Sequence, residues 1–412
     1  MAARQIVVLG GGFAGLWSAV GAARKLAEEG VGRDAVQVTL VNRDAYHSIR
    51  VRNYEADLSQ VLVPLDSVLT PIGVDRVEGD VIAIDTAARA VVIREAAGER
   101  SLTCDRLVLA AGSQLARPAI PGLAEFGFDV DTYTGAARLA EHLRGLPQRS
   151  PSAGRATVLI VGAGLTGIET AAEMPARLCE ILKKATGDEL ESAAPRVILA
   201  DHNPLVGSDM GDSARPVIET ALAALGVELR MGVQVTGVTA SGAALASGET
   251  IPAETIIWCA GMRASPLTKM FAVDRDQFGR LPVDEFLRVR GVPNVFAAGD
   301  CASLEITPGH ASVMSCQHGR PMGRFAGFNV VADLLGLPML PLAIDWYVTV
   351  LDLGPWGAVY TAGWDRHVIA QGAAAKRTKQ TINCERIYPP RSGNREEILA
   401  AAAPVVQRPP GI

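Results

Sequence analysis

One pattern constrains the fold more than any other, and it occurs twice. Ile6 to Leu9 is a continuous apolar run, followed by Gly10-Gly11-Gly12-Phe13-Ala14-Gly15 and a helix-forming stretch from Ala14 to Ala27. Thr157 to Val161 likewise precedes Gly162-Ala163-Gly164-Leu165-Thr166-Gly167 and a helix from Thr166. A short β-branched run without polar alternation reads as a strand buried on both faces of a parallel sheet. In each unit the first glycine permits a tight turn, the second lets a pyrophosphate approach the backbone, and the third lets helix pack on strand. The helix then offers free N–H groups and a positive dipole end to the phosphates. With 42 Gly in 412 residues, a single three-glycine match arises by chance about 0.4 times per chain, so one match is weak. Two matches, each between strand and helix, predict two nucleotide-binding α/β modules.

Each unit continues into a second buried strand, Val38 to Val41 and Val197 to Ala200. The fingerprint wants an acid at the end of that strand to hold a ribose hydroxyl. The second module supplies Asp201, whose carboxylate accepts from a 2′-OH and repels a 2′-phosphate, so NADH is expected over NADPH. The first module has Asn42 there, a weaker ribose partner, beside Arg43, which can stack on an adenine or reach a phosphate.

The rest of the sequence excludes several classes. Net charge is −5, too acidic for nucleic acid, which needs concentrated Lys and Arg to displace counterions. The six cysteines form no C-x-x-C pair and match no zinc spacing, so a reducing cytoplasm is expected. His47, His310 and His318 have no metal-ligand spacing either. Gln5 to Ala23 is uncharged between Arg4 and Arg24, but its glycines fit strand, turn and helix better than a signal peptide or membrane span.

Between the modules, Val77 to Ile93 alternates around Asp85-Thr86 and predicts a hairpin. Leu107 to Ala111 reads as a buried strand, and Ala116 to Gly122 and Pro147 to Gly154 as linkers. Short strands are expected around Val227–Val238 and Ile256–Cys259. Gly291 to Pro293 should turn into the buried strand Val295–Ala298, which ends in Gly299-Asp300. From Gly336 the texture changes, with prolines, aromatics and a basic group, Lys376, Arg377 and Lys379, expected in a solvated loop or against anionic lipid. Trp346, Tyr347 and Trp356 read as core or dimer contacts.

Taken together these pieces resemble the two-dinucleotide-binding-domain flavoproteins, the pyridine nucleotide-disulfide oxidoreductase superfamily. The resemblance rests on Val7 to Leu16, Leu107 to Ser113, Leu159 to Glu169 and Val295 to Ala302, in the family's order, and covers most of residues 4–335. It implies that the first fingerprint binds FAD and the second NAD(P)H. It also implies that Asp300, after Gly299, bonds the ribityl chain, and that Ala111-Gly112 lies beside the flavin dinucleotide. The implied fold is α/β: two Rossmann-like, three-layer domains plus a smaller C-terminal subdomain. Residues 1–118 and 276–335 would form the FAD-binding domain, 119–275 the NAD(H)-binding domain, and 336–412 the C-terminal part.

Within the superfamily the chain is most similar to type II NADH:quinone oxidoreductases. Asn42-Arg43-Asp44-Ala45-Tyr46-His47 resembles their Asp-Arg-x-x-Tyr-His segment. Glu169 matches their active-site glutamate, and Ile257 to Pro266, with Gly261, their Trp-Ala-Ala-Gly stretch. Gln317-His318-Gly319 matches the end of their quinone motif, whose earlier glutamine falls at Val313. The resemblance implies proton relay by Glu169 and acceptor contact by Gln317. The cysteine spacings of the disulfide reductases are absent, and Cys301 reads as a packed small residue. The expected activity is hydride transfer from NADH to FAD and on to an acceptor, a quinone foremost, with peripheral membrane contact and a homodimer as further expectations. The rivals are a reductase of a small electron-transfer protein and a slow-turnover redox sensor.

Overall fold

The structure, a computed structural model, describes residues 2–186 and 195–411. Two five-stranded parallel sheets carry the two glycine motifs. In the first, Arg4–Leu9 lies at the centre, flanked by Val36–Asn42 and then Asp75–Glu78 on one side, and by Arg106–Leu109 and then Val295–Ala297 on the other. In the second, Thr157–Val161 is central, with Arg196–Asp201 and Val227–Met231 on one side and Thr255–Trp258 and Gly127–Phe128 on the other. Central strands covered on both faces must be apolar throughout, and Val158 to Val161 and Ile6 to Leu9 are all buried.

The resemblance between the halves goes further than the motifs. In each, the edge strand runs into a three-stranded antiparallel meander before the chain re-enters the sheet. The meanders are Asp80–Asp85, Ala90–Glu95 and Gly98–Thr103, and Val235–Thr239, Gly242–Leu245 and Thr250–Pro252. The sequence suggests only a hairpin from Val77 in the first. Val77 belongs instead to the parallel sheet, paired with Val41, and the hairpin has a third strand.

Helix α1 (Phe13–Glu28) covers the first sheet, and α2 (Leu165–Thr186) the second. Helix α3 (Cys316–Leu335) lies against α1 through small residues. A Cβ on Gly323 would stand 2.3 Å from the Ala14 carbonyl oxygen, and one on Gly327 2.3 Å from that of Ser18. Such contact leaves no room for a side chain at the crossing.

The C-terminal segment forms an antiparallel sheet, Val348–Asp352, Ala358–Ala362 and His367–Gln371, followed by α4 (Gly372–Thr381). This sheet docks on α2. Leu351, Leu353 and Val359 share a buried cluster with Val158, Ile160 and Leu199. At Gly354 a Cβ would meet the Ala172 carbonyl oxygen at 2.4 Å. Tyr347 is buried and stacked on Trp364, so it serves as core. Among the described residues no helix is long and apolar enough to cross a membrane.

Candidate active site

The two glycine turns have the same geometry. Gly10 and Gly162 take φ of +106° and +109°, where L side chains are strained. A Cβ on Gly15 would stand 1.8 Å from the Gly10 carbonyl oxygen, and one on Gly167 1.7 Å from that of Gly162. These glycines are demanded by the apoprotein itself. Gly12 differs: a Cβ there meets nothing within 4 Å. The space beside it lies at the N-terminus of α1, which no side chain caps. An open cradle with free N–H groups fits a pyrophosphate. Gly112, at φ +66°, also faces open space. At the second cradle, a Cβ on Gly164 would stand 3.4 Å from the Asp209 carboxylate. Thr166 is exposed at the start of α2, and its carbonyl accepts from the Thr170 hydroxyl at 2.7 Å.

Asn42 and Asp201 occupy equivalent places and do the same work. Asn42 Oδ1 accepts from the Gly11 N–H at 2.8 Å, and Asp201 Oδ2 from the Ala163 N–H at 2.5 Å. Each pins the second residue of its cradle. Asp201 is buried and also accepts from the Asn203 N–H at 2.7 Å, so it is no loose loop acid. Arg43 is exposed beside Asn42. His47 adds a second brace, its Nδ1 2.9 Å from the Gly11 carbonyl oxygen, with its ring edge-on to Phe13. Burial lowers its pKa to about 4, so it is neutral.

Asp300 sits on a single turn after Val295–Ala297. It accepts from the Ser113 hydroxyl at 2.6 Å, and burial holds its carboxyl above the usual range. A Cβ at Gly299 would collide with Ala14 Cβ at 2.7 Å, which brings this turn against the start of α1. Arg50 bonds Ser113 and the Asp131 carboxylate, and so joins the first half to the second. Gly261, at φ +80°, accepts from the Ala116 N–H at 3.0 Å where the linker passes. Cys301 is fully buried, its thiol pushed up to about 12 by burial, and all six cysteines are free.

Glu169 stands one turn inside α2, buried, where the first half, α2 and the C-terminal sheet meet. Its Oε1 accepts from Lys379 Nζ at 2.7 Å and from the Asp352 N–H at 3.0 Å. Lys379 also donates to the Val350 carbonyl at 3.0 Å. Beside this pair, Asp352 accepts from Lys376 at 2.5 Å and from the Tyr54 hydroxyl at 3.1 Å. Burial raises the Glu169 carboxyl, opposed by the Lys379 charge. Lys379 keeps its proton because Glu169 and Asp352 together outweigh its burial.

This corrects the sequence reading of the basic group. Lys376 and Lys379 lie on α4 and face inward to carboxylates, while Arg377 is exposed. No solvated loop or lipid-facing patch exists there. Lys379, Asp352, Tyr54 and Arg50 were not legible as site residues. Glu169 and Lys379 are 210 positions apart, and no spacing signals a pair that only tertiary docking creates. Gln317, in the first turn of α3, does not cap that helix. Its Oε1 accepts from the Val348 N–H at 3.3 Å and ties α3 to the C-terminal sheet. His318 Nδ1 accepts from the Val313 N–H at 2.9 Å. No group of three metal-ligating side chains converges among the described residues.

The sequence of the pyridine nucleotide-disulphide oxidoreductase family matches residues 4–323. The chain belongs to that family. It is therefore an NAD(P)H-dependent flavoprotein oxidoreductase, and the family's cofactors, FAD and a nicotinamide nucleotide, suit the two cradles. It is 58% identical over 406 residues to an "NADH dehydrogenase-like protein" of Mycobacterium tuberculosis, covering 98% of this chain and 100% of that one. A type II NADH:quinone oxidoreductase of the same organism is 30% identical, with 81% of this chain and 73% of that one covered. Among solved structures, NDH2 from Plasmodium falciparum in complex with NADH aligns with a TM-score of 0.78 at 13% identity, covering 97% of each chain. At that identity the likeness shows the fold alone.

Proposed function

We propose that the enzyme oxidises NADH through FAD and passes the electrons to a quinone. The observation that carries this reading is the buried Glu169–Lys379 pair, set where both nucleotide halves and the C-terminal sheet meet, with no cysteine pair near it. Reduction of a quinone consumes protons, and a paired carboxyl raised by burial can hold and release one at Glu169 Oε1. When bound, FAD supplies the redox chemistry; the protein supplies binding, alignment and exclusion of water.

The first cradle, Gly10, Gly12, Phe13, Ala14 and Gly15, would hold the FAD pyrophosphate, with Asn42 and Arg43 at its adenosine end. Ala111-Gly112, Gly261 and Gly299-Asp300 would line the rest of it. Gly162, Gly164, Thr166 and Gly167 would hold the nicotinamide nucleotide, with Asp201 repelling a 2′-phosphate and so favouring NADH. Gln317 would stand at the acceptor end. The relatives named type II NADH:quinone oxidoreductase support the quinone as acceptor.

Stopped-flow spectroscopy tests the reading. NADH should bleach the flavin of the FAD-loaded protein, and a naphthoquinone should restore its colour at a rate matching steady-state turnover. Reoxidation only by a small electron-transfer protein, or a long-lived charge-transfer complex without turnover, would hand the assignment to one of the rivals. Replacing Gly12 by Val should release FAD while leaving the apoprotein fold intact, because only the ligand contests that space.

A further inference from the structure

Asp201 has little of its carboxylate left for a ligand. Its Oδ2 accepts from the Ala163 N–H at 2.5 Å and its Oδ1 from the Asn203 N–H at 2.7 Å, and only 8% of the side chain is exposed. The group that stands in solvent at this place is the next residue. The His202 side chain is 75% exposed, and its Nδ1 lies 3.3 Å from Asp201 Oδ1. The first module has the same arrangement, with Asn42 pinning its cradle and exposed Arg43 following it. Each half therefore sets a basic side chain directly after the residue that braces its glycine turn. In the first half that side chain is a permanent cation. In the second it is an imidazole, the kind of group that ordinarily changes charge between pH 5 and 8.

A nucleotide held by the Gly162 to Gly167 turn brings its adenosine ribose to the end of this strand. NADH presents a 2′-hydroxyl there, and NADPH a 2′-phosphate that the Asp201 carboxylate repels. A cation beside the acid offsets that repulsion and offers the phosphate a charge-assisted hydrogen bond. We infer that His202 makes the choice of nucleotide depend on pH: neutral, it leaves Asp201 to exclude NADPH, and protonated, it pairs with the 2′-phosphate and admits NADPH. The inference rests on the second cradle as the nicotinamide nucleotide site and needs nothing of the quinone. Among the described residues, Asp201 is the one charged side chain that pairs with His202. On the adjoining strand, Val227–Met231, Arg230 is taken up by Glu228 and Glu249, and the Asp209 carboxylate stands beside Gly164.

The test is calorimetric titration of the FAD-loaded protein with NAD+ and, separately, with NADP+, at pH 8.5, 7 and 6. The readout is the ratio of the NADP+ Kd to the NAD+ Kd. Neither oxidised nucleotide can reduce the flavin, so binding is measured without turnover. In the wild type the ratio should fall about fivefold or more from pH 8.5 to 6. A phosphate monoester itself gains a proton near this range, and that part of the response should persist alone in His202→Gln, as a fall of about twofold or less. His202→Arg should hold the ratio low at every pH, because a guanidinium keeps its charge. High salt should shrink the wild-type response, since the pair is exposed. Parallel pH curves for the wild type and His202→Gln would overturn the inference, as would a His202→Arg ratio no lower than that of the glutamine variant. A wild type that binds neither nucleotide would overturn the nucleotide reading of the cradle, and the inference with it. Binding of NAD+ without a response that depends on His202 overturns the inference alone. If one variant fails to fold, the other decides.

Discussion

Lys379 shows what a buried pair demands of single residues. Its side chain is 11% exposed and that of Glu169 9%, so removing either partner strands the other in a poorly solvated place. Lys379→Met should cost ~3–5 kcal/mol of stability, visible as a lower melting temperature. Glu169→Gln should cost less, because the amide oxygen can still accept from Lys379 and Asp352. If Glu169 relays protons, however, Glu169→Gln should slow quinone reduction by about 10²-fold or more while FAD content stays normal. The double variant should recover part of the stability and none of the turnover. A Glu169→Gln enzyme with near-wild-type turnover from pH 6 to 8 would sink the relay. Asp201 poses a second test at this scale. Asn42 shows that an amide can pin the cradle's second N–H, so Asp201→Asn should keep the nucleotide site folded. It should also narrow the preference for NADH over NADPH by roughly 1–3 kcal/mol in kcat/KM, through loss of the repelling charge. Equal use of both nucleotides by the wild type would show that Asp201 does not face the ribose.

Among the elements, the strands and turns that carry the glycine motifs were legible because their requirements are local. A positive φ, a helix pressed on a carbonyl and a fully buried strand each leave a mark within a few residues. The first meander was harder. Gly98–Thr103 is almost wholly exposed and polar, so no alternation announces it. The strand that holds Val77, Asp75–Glu78, is separated from the meander only by Gly79, so the apolar pattern runs on from the sheet edge. The crossing of α1 and α3 was not legible at all, because its glycines are spaced as ordinary helix interior. Their cost reveals the contact. Gly327→Val should destabilise the protein by ~1–3 kcal/mol or more through overpacking, read as a lower melting temperature of the apoprotein. Gly12→Ala, with no atom within 4 Å of its Cβ, should leave that temperature unchanged. Equal losses from both would mean that α1 and α3 are not locked at this crossing.

At the scale of the whole molecule, the C-terminal segment completes a site begun by residues far earlier in the chain, and local patterns cannot show that. The same interior docking fixes how the protein responds to acid. His47 and His318 are both fully buried, and burial lowers each pKa to about 4 from the ordinary 6.5. The unfolded chain therefore takes up these protons first as the pH falls. Stability conferred by each neutral ring is complete above about pH 6.5 and declines down to about pH 4, by an amount on the order of 3 kcal/mol per histidine. Asp300 and Glu169 act in the opposite sense, since their raised carboxyls are protonated in the folded state first. The net slope alone cannot separate the two, so the test is a variant. His47→Gln should lower the melting temperature at pH 7.5, where the brace on the Gly11 carbonyl is weakened. The gap from wild type should then shrink as the pH approaches 4.5, because glutamine has no proton to gain. Since His47 holds the cradle itself, flavin release from the wild type should follow the same window, seen as a rise in free-flavin fluorescence on acidification. A gap that stays constant from pH 7.5 to 4.5 would show that His47 is charged or solvated in the folded protein.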